Sequence, residues 1–85
     1  ENYLSLISSH LSADFTESKQ AAQWVLKYLG IKYELKAKDY LQYIPGRSAA
    51  IMCQDKEIGH FGELNPKIII DNGMENPIIG MEIKI

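Results

Sequence analysis

The side chains able to do chemistry are few and scattered. The chain has one cysteine, two histidines, one arginine and eleven acidic residues among 85. His10 and His60 have no cysteine or carboxylate at metal-ligand spacing. There is no Gly-x-Ser-x-Gly, and no serine is paired with a histidine in a motif. No two carboxylates stand at a spacing that implies acid–base work. No catalytic, cofactor-binding or metal-ligating residue is therefore assigned. Cys53 lies in an apolar run, which predicts a buried structural thiol rather than a nucleophile. A single cysteine leaves no internal disulfide and no cysteine-based zinc cluster. Such usage fits a reducing, cytoplasmic setting. His10 reads as a hydrogen-bonded residue at the end of a strand.

Arg47 is the exception that invites a role, because it enters an apolar strand directly after a Pro45-Gly46 turn. Two readings stay open. It forks to a carboxylate, with Glu63 and Glu82 the candidates, or to loop carbonyls. Alternatively it binds a phosphate or carboxylate ligand in a free-standing anion-binding module. Gly59 and Gly62 flank His60-Phe61 inside a strand pattern, with no P-loop lysine following. Glycines so placed mark bulges or close backbone approach.

The elements that must position these residues centre on Tyr43 to Pro66. The Ile44–Arg47 turn leads into the apolar run Ala49–Cys53, which predicts a strand. The polar corner Gln54–Glu57 reverses the chain, with Asp55-Lys56 as the expected tip. Ile58–Leu64 returns as a second strand. Gly46 is expected to supply a dihedral pair forbidden to residues with a Cβ. Asn65-Pro66 reads as an N-cap and first helical residue, opening a short helix through Asp71 that Asn72-Gly73 closes.

Upstream, weak alternation predicts a strand over Tyr3–Ser9. Asp14 caps a helix from about Phe15 to Leu29, with Glu17 completing a capping-box-like pattern. Ser18, Ala21, Ala22, Val25, Leu26 and Leu29 form its apolar stripe. Gly30 ends it. Trp24 and Tyr28 stand one turn apart. They are read as widening the core face, with a patch for another subunit as the alternative. Ile31–Lys36 alternates as a half-buried strand with Ile31, Tyr33 and Leu35 inward. Lys36–Gln42 is polar and reads as loop. Ile79, Met81, Ile83 and Ile85 alternate as a final strand. The order predicts one α+β domain, an antiparallel sheet with one long and one short helix.

A hydrophobic content of 46% supports a packed core. A net charge of −2 and a lone arginine do not describe an autonomous nucleic-acid binder. No apolar run approaches the roughly 20 residues of a membrane helix. No signal peptide is visible, the chain does not begin with Met, and it ends within a strand pattern. Both ends predict a piece of a longer protein.

Several dipeptides, in order, resemble one family. They are Ile44-Pro45-Gly46-Arg47-Ser48-Ala49, then Ile58-Gly59-His60-Phe61-Gly62-Glu63-Leu64-Asn65-Pro66, then Asn76-Pro77 and Glu82. Together with the Asp14-Phe15-Thr16-Glu17 helix start, they resemble the end of the catalytic-like module in the beta chain of phenylalanine–tRNA ligase. The resemblance spans about residues 3 to 85. Asn65 departs from the family's usual histidine, and both residues can cap a helix. The resemblance implies a segment of a class II aminoacyl-tRNA synthetase-like fold without the ATP-handling arginine motifs. It implies a non-catalytic docking role beside an alpha subunit that holds the chemistry. The assembly would have two alpha and two beta chains, and the whole enzyme would use ATP and magnesium to charge its tRNA. The charge and the absence of a long apolar run lead to the expectation of no DNA and no membrane partner. Gly46, Arg47, Gly59, Gly62, Glu63, Pro66 and Glu82 carry over as structural motif residues.

Overall fold

The computed structural model describes residues 3–9, 14–65, 67 and 78–84. The described elements are β1 (Tyr3–Ser9), α1 (Phe15–Leu29), β2 (Glu34–Ala37), β3 (Tyr43–Cys53), β4 (Lys56–Leu64) and β5 (Ile78–Lys84). The strands form one antiparallel sheet in the order β1-β5-β4-β3-β2. The architecture is α+β, with α1 on one face of the sheet, packed on β4 and β5. The expected short helix and His10 lie outside the described residues, although the Lys67 amide donates to Asn65 Oδ1 at 3.0 Å, as an N-cap requires.

α1 forms where its caps and stripe predict. Asp14 is extended and its Oδ1 accepts from the Glu17 amide at 2.9 Å, satisfying one orphan donor. Gly30 takes φ 71° and its amide returns to Leu26 and Lys27 carbonyls. Ser18, Ala22, Val25 and Leu26 are buried. The small Ala22 and Ser18 let the helix approach the sheet, and the Ser18 hydroxyl is satisfied by the Phe15 carbonyl at 2.7 Å. Leu29 does not join the buried stripe: it is 40% exposed.

Ala49, Ile51, Phe61, Met81 and Ile83 rise from β3, β4 and β5 to meet the helix, and Phe15 stacks on Phe61 at 5.5 Å. Burying a side chain such as Leu26 or Phe61 stabilises by about 1.5–3 kcal/mol. Alternation sends their neighbours Ala50, His60, Gly62, Gly80 and Glu82 to the opposite face.

Three expectations about boundaries are corrected. Pairing of β2 begins at Glu34 and runs to Ala37, so Ile31 and Tyr33 pack on the core from the connection rather than from a strand. The hairpin tip is Gln54-Asp55, with φ 51° and 65°, not Asp55-Lys56. A two-residue turn of this kind needs positive φ at both positions, and Lys56 already pairs with Cys53. Ile44–Arg47 is no free-standing turn: it lies within β3 as an irregular stretch facing the single Glu63, between the Tyr43–Leu64 and Ser48–Gly62 pairs. Gly46 takes φ 81° there and its amide donates to Asp39 Oδ1 at 2.9 Å.

Candidate functional site

The face of the sheet turned away from α1 carries most of the polar side chains that converge. The segment 38–42 folds back over this face, pinned where Ser48 Oγ donates to the Lys38 carbonyl at 2.6 Å. Its tyrosine, Tyr40, meets Tyr43 edge-on at 5.7 Å and tilts against His60 at 4.9 Å. Tyr43 Oη and His60 Nδ1 are 2.7 Å apart, a hydrogen bond between residues 17 apart in sequence. Lys38 Nζ lies 5.2 Å from the Tyr40 ring centre and pairs with Glu57 at 2.6 Å. The loop thus turns a bare sheet face into an aromatic cluster with an ion pair at its rim.

Electrostatics set the protonation of this cluster. Burial pushes the Tyr43 phenol up to about 12, and the Glu82 carboxylate adds to the shift. Burial likewise raises the Tyr40 phenol well above its ordinary value, with the Glu57 charge reinforcing it. The Tyr40 hydroxyl is sealed from solvent and, among the described residues, meets no partner at strict hydrogen-bond geometry; Glu57 acts on it through its charge and, to a lesser extent, through a looser hydrogen bond. The hydrogen bond from Lys38 holds the Glu57 carboxyl below the usual carboxylate range, against a weaker opposing effect of burial. Both phenols are therefore neutral hydrogen-bonding groups near pH 7, not bases.

The residues singled out in the sequence serve the backbone. Arg47 Nη1 meets Glu63 Oε2 at 2.6 Å. Glu63 is the partner, not Glu82, because Glu63 faces the irregular part of β3 whereas Glu82 pairs with His60 further along. The guanidinium is not buried: 57% of the Arg47 side chain is exposed, while Glu63 beneath it is 11% exposed. Gly59 and Gly62 are sites of close approach. A Cβ on Gly59 would collide with the Glu82 carbonyl and lie 3.0 Å from Ile83 Cα. On Gly62 it would lie 2.7 Å from the Arg47 carbonyl and 2.9 Å from the Tyr43 ring. The bulge falls next to Gly59: Ile51 pairs with Gly59 and Met52 with Glu57, leaving Ile58 unopposed. Pro66 lies outside the described residues.

Two further expectations are corrected. Cys53 is half-buried at the end of β3, beside the hairpin turn, and lines an open groove of about 610 Å³ along β2. Trp24 and Tyr28 do not widen the core. They are 68% and 79% exposed, with rings stacked 5.8 Å apart on the solvent side of α1. The helical turn places them together, but away from the stripe that meets the sheet.

The Tyr40–Tyr43–His60 cluster escaped the sequence because strand register, not spacing, assembles it. The usable signal was the even-numbered position of His60 beside Gly62, which puts it opposite Phe61. Among the described residues, no group of three His, Cys, Asp or Glu could hold a metal ion.

Residues 4–85 match the family described as the phenylalanyl tRNA synthetase beta chain CLM domain. Similar curated proteins carry the name phenylalanine–tRNA ligase beta subunit. That of Thermococcus onnurineus is 35% identical over 98% of this chain and 14% of its own length. That of Methanothrix thermoacetophila is 35% identical over 98% of the chain and 15% of its own. That of Methanococcus maripaludis is 35% identical over 91% and 14%. The chain thus spans about 15% of the length of the curated relatives it matches.

Proposed function

The chain belongs to the phenylalanyl-tRNA synthetase beta chain CLM domain family, and from this we propose that it is a non-catalytic segment of a phenylalanine–tRNA ligase beta subunit that supports assembly. In this reading its sheet is part of a class II synthetase-like fold. The partner is the alpha subunit, in an assembly of two alpha and two beta chains in the cytoplasm. ATP and magnesium act in the whole enzyme, where phenylalanine is joined to its tRNA, and not in this segment.

The observation that carries the assembly role is the stacked Trp24–Tyr28 pair, presented to solvent on the helix that anchors the sheet. Large exposed aromatics are concentrated at interfaces, where a rigid ring covers much area at little entropic cost. The geometry also supports a scaffold role for the motif residues. Arg47 is engaged by Glu63, and Gly59 and Gly62 admit neighbouring backbone. Phenylalanine-dependent ATP–pyrophosphate exchange tests the non-catalytic half. The chain alone is expected to show none above background, and measurable exchange by it would overturn the reading.

A further inference from the structure

The cluster side of the sheet contains a concavity of about 180 Å³. Its floor is Gly80, which pairs with Gly62 on β4 and with Ile7 on β1. Register fixes its walls: His60 stands opposite Glu82, and Glu82 stands opposite Ser5. Tyr43 closes one side, its hydroxyl tied to His60. Among the described residues, no hydrogen bond or ion pair reaches the half-buried Glu82 carboxylate. Ile7, 73% exposed, offers an apolar lip.

A carboxylate with no hydrogen bond or ion pair among the described residues, beside aromatic rings and over a floor without side chains, is suited to a cation with a slim apolar stem. The carboxylate supplies charge-assisted hydrogen bonds, and ring faces attract a cation within about 6 Å. We propose that this concavity binds a primary ammonium group on a short apolar stem, held by Glu82 and flanked by Tyr43 and His60. The site is independent of the Trp24–Tyr28 face and does not rest on the assembly reading. The ammonium can come from a free amine or from the lysine side chain of another protein.

Amide NMR titration of the full chain tests it, with n-butylammonium chloride, Nα-acetyl-lysine amide and neutral 1-butanol as probes. Saturable shifts at Ser5, His60, Gly80 and Glu82 are expected at concentrations on the order of 10 mM for the ammonium probes. Tighter binding of the lysine probe assigns the site to a protein lysine, and tighter binding of butylammonium to a free amine. Glu82→Gln is expected to weaken both at least tenfold. Ser5→Lys, at an exposed position opposite Glu82, is expected to fill the site from within and block both. Absence of saturation, equal response to 1-butanol, or unchanged binding in either folded variant would overturn the proposal. Neither outcome bears on exchange activity, so the two readings fail separately.

Discussion

Gly59 and Gly62 carry the sharpest consequence at the residue scale. Each faces backbone, which cannot swing away as a flexible side-chain end can. Gly59→Ala and Gly62→Ala are each expected to cost about 3 kcal/mol, read as a lowered urea midpoint. The Arg47–Glu63 bridge is half open to water, so screening limits it. Arg47→Ala is expected to cost only about 1 kcal/mol, with the fold intact by circular dichroism. Tyr43 sets a pH limit. Well below pH 10, the ordinary value of the phenol, the folded and unfolded phenols both keep their protons, and the contribution is complete. Between there and about 12 the unfolded chain releases its proton first, so stability falls as pH rises. Urea titrations at pH 8 and pH 11 should show this loss, and Tyr43→Phe should lessen it, leaving the part contributed by the raised Tyr40 phenol. The sequence announced the glycines, since two within a strand pattern imply close approach. It could not announce that Tyr40, Tyr43 and His60 meet, because that depends on register across β3 and β4 and on a loop folding back.

At the scale of elements, α1 was legible because its ends and its stripe are local. Asp14, Glu17 and Gly30 state the caps outright, and three- and four-residue spacing states the buried face. Asp14→Ala is expected to cost about 1 kcal/mol in urea unfolding. Trp24 and Tyr28 were misassigned for a physical reason. Their helical phase turns both rings to the solvent side of α1, away from the stripe that meets the sheet, so they cannot widen it. Trp24→Ser is therefore expected to change stability by less than about 0.5 kcal/mol. The β2 start and the hairpin tip shifted because pairing partners and positive-φ tolerance decide them, and alternation alone does not report either.

At the scale of the whole molecule, the described residues form a five-stranded sheet with α1 on one face and the Tyr40 loop over part of the other. Such a sheet, with an exposed aromatic pair on its helix, is suited to work within something larger. That is the central claim, and its most direct measurement is co-expression with the alpha subunit of phenylalanine–tRNA ligase, followed by a binding isotherm. The chain is predicted to bind, and the doubly substituted Trp24→Ser, Tyr28→Ser chain to bind at least tenfold more weakly while staying folded. A folded chain that remains apart from the alpha subunit, or a double variant that binds as well as the parent, would contradict the account.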